Sequence, residues 1–592
     1  MDFQIWTFYL SQILIYCALA LSLNLLLGYA GQVSVAHAAF GAIGGYTVGY
    51  MMTIHGWGFV PSALFGMALA FGVGVLVSLP AMKLSVEYLI LLTLAASSII
   101  IGVFTTIKDL GGTYGIISIP NITIFGWHME RKSDWVIPTL GVAIIVFAIC
   151  WRLGESAFGR VLKGLREDPL ATQALGKNVF GYKVAVFGIT SGLAGLAGAM
   201  YSGWLSLATP GLFGFAFSLT IFAMVIFGGM ANLTGSLIGA TAVTLLDPIL
   251  KRVIKIEASR ASVIQLIVYG LALAILMRLR PQGVLPEGRT IWSYIRRRKP
   301  QTRMEMITED WVPETKVVIA GGHEADVREQ ARRESRWHGA PVVLEAHGVS
   351  KSFGGIVAAD DLHMELRKGT ITALVGPNGA GKTTVFNLLT GFIPPDAGSV
   401  RLNGKELVGL APDKVARLGL VRSFQDVRLF QRISCLQNVM LAVQQQYGEN
   451  VGRLFFGPLA VARREAEVRE KAMDWLRFVG MSNFAEIPAG AVSYGQSKLV
   501  SLARALATDA EVLLLDEPAS GIDTKWVDSM LDLVEAVREQ GRTVCIVEHN
   551  LHVVGRLADH TYFMELGRIT AEGTIDELTN SPRLAEAYFG TA

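Results

Sequence analysis

Gly376-Pro377-Asn378-Gly379-Ala380-Gly381-Lys382-Thr383-Thr384 decides the fold of this chain. It reads G-x-x-x-x-G-K-T. A buried-strand pattern, Ile371 to Val375, leads into it, and an apolar run from Val385 to Leu389 leaves it and stops before Gly391. That order predicts strand, phosphate loop and helix. The glycines let backbone N–H groups crowd round a polyphosphate, and the helix N-terminus adds partial positive charge. Lys382 is expected on the β- and γ-phosphates and the Thr383 hydroxyl on Mg²⁺. The competing reading is a Gly-rich turn that imitates the motif.

At 592 residues the chain is too long for one domain. Up to about Leu279 it is dominated by apolar runs long enough to cross a bilayer. After that it has the charge density of a soluble α/β protein. The net charge of +3 says little about partners, and no charged tail points to nucleic acid. Cys17, Cys150, Cys435 and Cys545 have no C-x-x-C spacing, so neither a metal site nor a disulfide framework is expected. The first apolar run lacks a basic leader and reads as a retained helix.

Candidate spans are Trp6–Leu27, Ala36–Met52, Pro61–Ala81, Tyr88–Ile107, Trp135–Leu153, Val179–Ala208, Phe215–Met230, Ser236–Leu250 and Ser262–Leu279. Gly41, Gly44, Gly45, Gly192, Gly195 and Gly198 read as close-packing positions. His37 and Asn24 lie in or beside apolar sequence and read as satisfied structural groups rather than solute ligands. Arg152, Arg160, Lys163, Arg166 and Lys177, and the basic residues from Arg278 to Lys299, place both regions on the cytoplasmic side and the N-terminus outside. Lys251, Arg252, Lys255 and Arg260 oppose that count. No span carries a clear acid–base chain, which argues against a proton-driven carrier.

Leu23–Tyr46, Gly111–Pro120, Ser156–Gly176, Tyr182–Tyr201 and Arg280–Gly283 together resemble the permeases of branched-chain amino acid importers, the LivM-like group. That family also includes permeases for urea, amides and other small carboxylates. Ser156–Gly176 is polar, amphipathic and bounded by glycines. The resemblance implies a coupling helix there that docks on an ATPase; the plain alternative is a solvated loop. Pro286 to Ala340 has no apolar period and reads as a charged tether.

Further motifs follow the phosphate loop. Phe353 precedes Gly354–Gly355 and suits stacking on adenine, with core packing as the alternative. Gln425 follows Phe424 at the end of a strand-like run. Residues 441–490 read as a charged helical subdomain. Ser493, Gly495 and Gln496 belong to an S-Y-G-Q that opens a helix. Val512–Leu515 ends in Asp516 and Glu517, and Thr543–Val547 ends in Glu548 and His549. In this order the motifs resemble ATP-binding cassette proteins of the LivG-like group.

The resemblance implies that Gly376 to Thr384 bind ATP and that Thr383, Asp516 and Gln425 hold Mg²⁺. It implies that Glu517 is the general base and that His549 contacts the γ-phosphate. Ser493, Gly495 and Gln496 would then cap the nucleotide of an opposite ATPase. Gln437, Lys498 and Asp523 depart from residues common in the family.

The expected architecture is an all-α polytopic membrane domain (1–285), a linker (286–340) and an α/β P-loop ABC ATPase domain with a helical subdomain (341–592). The expected function is ATP-driven import through a bacterial inner membrane. The expected partners are a second permease and second ATPase, or another copy of this chain, and an extracytoplasmic solute-binding protein. An exporter half-transporter and an ATP-dependent sensor are the rivals. Exporters of that kind have six long helices with large cytoplasmic extensions, unlike these short, glycine-rich spans.

Overall fold

The computed structural model describes residues 2–81, 86–119, 122–252, scattered positions between 267 and 278, 282–288 and 332–579. They form two compact units. One holds Met1–Arg166 and Val179–Met304; the other holds Glu305–Ala592 together with the short stretch Glu167–Asn178.

The first unit is helical: α1 (Asp2–Asn24), α2 (His37–Thr53), α3 (Phe59–Ala81), α4 (Val86–Thr106), α5 (Val136–Gly154), α6 (Ala157–Glu167) and, beyond α7 (Pro169–Ala174) of the second unit, α8 (Val179–Leu205), α9 (Phe215–Gly228) and α10 (Leu233–Arg252). Six helical stretches among the described residues are long and apolar enough to cross a bilayer. α2 and α10 are apolar but shorter or less apolar than that. Most of the expected span Ser262–Leu279 lies outside the described residues, as do Arg296–Lys299 and most of the tether. The windows containing α1 and α8 are 78% buried, whereas those of α3 and α4 are 33% and 22% buried. α1 and α8 are therefore central, and α3 and α4 show wide apolar faces outward.

Small residues set the helix spacing. A Cβ on Gly44 would stand 1.8 Å from the Gly195 carbonyl oxygen, and one on Gly198 would stand 2.0 Å from that of Gly41. Only glycine lets α2 and α8 approach this closely. Asn24 is satisfied, whereas His37 is bonded through Nε2 alone and its buried Nδ1 has no partner among the described residues. Ser22 Oγ and His37 Nε2 lie 2.8 Å apart. Asn24 donates to Ser236 Oγ and the Asn232 carbonyl, and accepts from the Ala231 N–H at 2.8 Å. These bonds tie α1 to the turn before α10.

In the second unit, α11 (332–339) precedes β1 (Val342–Phe353), β2 (Ile356–Arg367) and β3 (Ile371–Val375). Then come α12 (Lys382–Leu389), β4 (Ala397–Leu402), β5 (Lys405–Glu406), α13 (Pro412–Leu418) and β6 (Leu420–Arg422). The helical part has α14 (Cys435–Ala442) and α15 (Pro458–Phe478). The chain closes with α16 (Tyr494–Leu506), β7 (Val512–Asp516), α17 (Thr524–Glu539), β8 (Thr543–Val547), α18 (Leu551–Leu557), β9 (His560–Glu565) and β10 (Arg568–Gly573).

The six-stranded sheet runs β6-β7-β8-β3-β9-β10, parallel except for the β9–β10 hairpin; an antiparallel sheet runs β2-β1-β4-β5. β3, β7 and β8 are buried at every residue, as near-continuous apolar runs in a covered parallel sheet should be. Leu344, Leu374, Phe386, Leu514 and Val547 share one core between the two sheets and α12. Chain order therefore brings the C-terminal ends of β3, β7 and β8 side by side, where ligands of parallel sheets bind.

Candidate functional site

β3 delivers the phosphate loop. Gly381 has φ +106° and its missing Cβ would sit 2.2 Å from the Ala358 carbonyl oxygen; for Gly376 the corresponding distance, to the Met564 carbonyl oxygen, is 2.1 Å. Side chains at either position would push into β2 or β9, so the loop closes only with glycine. α12 begins at Lys382, which points its N-terminal N–H groups, including those of Thr383 and Thr384, at the loop's interior. Lys382 Nζ donates to the Gly376 and Pro377 carbonyls at 2.7 and 2.9 Å. Burial lowers the Lys382 ammonium pKa, and Glu517 and Asp516 pull it back up. The cradle of backbone amides, a lysine and a nearby carboxylate fits a nucleotide polyphosphate.

β7 delivers the acids. Asp516 is 2% exposed and burial raises its carboxyl pKa, opposed by Arg422, whose Nη2 lies 3.4 Å from Oδ2. Arg422 is itself lowered to about 10 by burial, and its guanidinium lies over the Phe424 ring at 4.7 Å. The next residue turns sharply. Glu517 has φ +47°, a left-handed conformation that is costly for a residue with a Cβ. Two bonds hold it there: its N–H donates to the Val547 carbonyl at 2.9 Å, and Lys498 Nζ donates to its carbonyl at 2.6 Å.

Two residues from other elements meet this carboxylate. Gln425 Nε2 donates to Glu517 Oε2 at 3.1 Å, and His549 Nδ1 lies 3.5 Å from Glu517 Oε1. β6, β7 and β8 thus bring Gln425, Glu517 and His549 together. Glu548 is turned inward, 1% exposed, and accepts from the Ala519 N–H.

Ser493 and Gln496 cap α16 reciprocally: Gln496 N–H donates to Ser493 Oγ, and Ser493 N–H to Gln496 Oε1 at 2.9 Å. Gly495 packs on Trp526 and Ile522. No hydrogen bond or ion pair among the described residues joins 493–496 to 376–384. Phe353 is 45% exposed at the tip of the β1–β2 hairpin, with Lys351 Nζ 5.5 Å from its ring centre. It is available to stack on a ligand and takes no part in the core.

The stretch Glu167–Asn178 packs with this unit. Asp168 caps α7 through the Leu170 and Ala171 N–H groups and accepts from Arg428 Nη1 at 3.0 Å. Arg428 stands three residues after Gln425. Lys177 is buried and donates to the Val443 carbonyl at 2.9 Å and to Glu449 Oε1 at 2.6 Å. Gln444 Nε2 donates to the Leu175 carbonyl at 2.7 Å. The segment is a docked helix, not a solvated loop.

Lys498, Arg422 and the Asp168–Arg428 pair escape a reading by motif, because each acts through one partner distant in sequence. Gln437 makes a capping box with Ser434.

Residues 5–277 match the family model of the branched-chain amino acid transport system permease component, and 359–520 match that of the ABC transporter. The high-affinity branched-chain amino acid transport ATP-binding protein BraF of Pseudomonas aeruginosa is 38% identical over 251 residues, 42% of this chain and 98% of that protein. LivG of Escherichia coli, described in the same words, is 36% identical over 254 residues, again 42% and 98%. A nucleotide-free ATP-binding cassette from an ABC transporter, a crystal structure, is 32% identical over 42% of this chain and all of its own, with a TM-score of 0.37.

Proposed function

The chain belongs to the branched-chain amino acid transport family of ABC transporters, with permease and ATP-hydrolysing parts in one polypeptide, and from that premise we propose the following cycle. It imports a small solute, most simply a branched-chain amino acid, across a bacterial inner membrane. Its membrane domain is 1–285, its tether 286–340 and its cytoplasmic ATPase 341–592. The bond from Asp168 to Arg428 carries this reading. It links the inner segment between α5 and α8 to the loop that presents Gln425 to Glu517, so a change at either end reaches the other.

In the cycle, the backbone of Gly376 to Thr384 and Lys382 hold the phosphates of ATP. Thr383, Asp516 and Gln425 are the residues that would hold Mg²⁺, which supplies charge neutralisation on the phosphates. Glu517 takes a proton from the attacking water, and Gln425 and His549 fix the carboxylate's direction. His549 also reaches toward the γ-phosphate. Phe353 stacks on adenine. Ser493 and Gly495, at the start of α16, cap the nucleotide held by a second ATPase, with the buried Gln496 bracing that turn, so two cassettes close as a pair. The partners are a second permease and ATPase, or a second copy of this chain, and an extracytoplasmic binding protein.

The test is uptake of labelled leucine into cells lacking their own leucine importers and supplied with this chain and its neighbouring subunits. Uptake that Glu517→Gln abolishes is expected. Uptake of urea or an aromatic carboxylate in its place would reassign the solute and keep the importer. Efflux would overturn import.

A further inference from the structure

The stretch that joins α14 to α15 leaves two large apolar side chains in the open. Phe456 is 93% exposed and Leu459 is 86% exposed; Tyr447 and Phe455, earlier in the stretch, are exposed as well. The backbone beneath them is held firmly. Asn450 caps the short helix Val451–Phe456 by accepting from the Arg453 N–H at 3.0 Å. Arg453 lies over the Tyr447 ring, 5.1 Å from its centre. Leu454 and Val461 are buried and fasten this helix and the start of α15 to the subdomain. Phe456 and Leu459 are therefore held outside the fold, and they leave water only where something else covers them.

The same end of the subdomain grips the chain as it leaves for the membrane. α14 ends and α15 begins at this stretch, and its residues Val443, Gln444 and Glu449 hold Leu175 and Lys177. Arg464, in the first turns of α15, reaches back to the Gln444 carbonyl at 3.4 Å. Lys177 comes just before Val179, where α8 begins, and α8 is one of the helices long and apolar enough to cross a bilayer.

Charge indicates what the cover is. From Asn450 to Arg464 the charged residues are Arg453, Arg463 and Arg464, and none is acidic. Glu449, just outside, is occupied by Lys177, and Arg464 is engaged by Glu467 at 2.9 Å. Arg453 and Arg463 are thus the cations that flank the two apolar tips. Protruding aromatic and aliphatic side chains between arginines suit a bilayer surface, where the tips pass the headgroups and the guanidiniums stay on anionic phosphates. A protein interface centres instead on a core depleted of charge.

We propose that Phe456 and Leu459 insert into the headgroup layer of the cytoplasmic leaflet, with Arg453 and Arg463 on anionic lipid phosphates. The helical subdomain then rides on the membrane surface while it holds Leu175 and Lys177. This goes beyond the transport reading and holds whichever solute is carried.

The test is spin-label accessibility in the full chain, in nanodiscs of phosphatidylethanolamine and phosphatidylglycerol. The four native cysteines are buried, so a label can be directed to Phe456→Cys, to Leu459→Cys and, as a water-side reference on α15, to the exposed Glu470→Cys. Binding of a fluorescent nucleotide by each labelled variant shows that its cassette is folded. Labels at 456 and 459 should collide severalfold more with lipid-dissolved oxygen, relative to a water-soluble nickel chelate, than the label at 470. Arg453→Gln with Arg463→Gln should lower that ratio at least twofold. Labels at 456 and 459 as open to the nickel chelate as residue 470 would overturn the proposal. Labels shielded from both probes would also overturn it and would assign the surface to a protein, such as a second copy of the chain.

Discussion

Lys498 donates a 2.6 Å hydrogen bond to the main-chain carbonyl of Glu517, the acidic residue held at φ +47°. Such a conformation costs on the order of 1–3 kcal/mol for a non-glycine residue. The bond offsets part of that cost and fixes where the carboxylate points. Burial lowers the Lys498 ammonium pKa, while Glu548 and Glu517 oppose the shift.

Removing it should therefore misdirect Glu517. Lys498→Met is expected to lower kcat for ATP hydrolysis by about 10- to 100-fold with little change in KM, as for loss of an aligned base. Lys498→Arg should recover most of the rate, since a guanidinium also donates. Steady-state kinetics check this; equal losses for both variants would contradict it.

The Asp168–Arg428 pair is partly exposed, so its own contribution to stability is about 1 kcal/mol or less. Its expected effect is on coupling. Asp168→Ser keeps a side-chain cap for α7 but removes the carboxylate from Arg428. The ratio of stimulated to basal hydrolysis should fall severalfold, and Arg428→Lys should restore part of it. Lys177→Met is harsher, because it removes a buried ammonium that bonds both Glu449 and the Val443 carbonyl; a cost of about 3 kcal/mol in docking is expected. Limited proteolysis near residue 170 would report it.

Gly381→Ala places a methyl 2.2 Å from the Ala358 carbonyl oxygen at a φ of +106°. ATP binding should fall at least tenfold while the sheet stays folded. Equilibrium binding of a fluorescent nucleotide, beside far-UV circular dichroism, checks both parts.

His560 is stacked on Trp337 at 4.2 Å, and burial lowers its pKa to about 4, helped by His338 and Arg367. A base with a depressed folded pKa stabilises the fold above its unfolded pKa, near 6.5, and loses that stability as pH falls toward 4. The loss amounts to about 3 kcal/mol at most. Asp559, raised by burial, works in the opposite direction at the acidic end. Thermal unfolding from pH 7 to 5 should therefore be steeper in the wild type than in His560→Phe. Parallel curves would contradict this.

Much of this is legible in the residues. The phosphate loop is a local pattern, and its glycines are dictated by close backbone approach, so reading G-x-x-x-x-G-K-T places β3 and α12 correctly. The apolar runs give the helices of the membrane unit, and the glycines of α2 and α8 prove to be contact points. The signals that stay hidden are pairwise and distant. Lys498 reads only as a departure from the residue common in the family until the fold brings it to Glu517. Tyr46 stands in the sequence only as the end of the Leu23–Tyr46 stretch, and the packing alone leaves its hydroxyl without a partner among the described residues. Ser156–Gly176 is amphipathic in sequence, yet the residues that hold its second half, Arg428 and Gln444, are more than two hundred positions away.

The central claim is that Glu517 drives hydrolysis under control of a solute arriving from outside. The measurement that tests it most directly is ATP hydrolysis by the purified chain with its partner subunits in lipid. It is run with and without a solute-loaded binding protein, beside Glu517→Gln. The account predicts stimulation by the loaded binding protein and a loss of about 10²-fold or more in the variant. Hydrolysis that ignores every binding protein, or persists at full rate in Glu517→Gln, would contradict it.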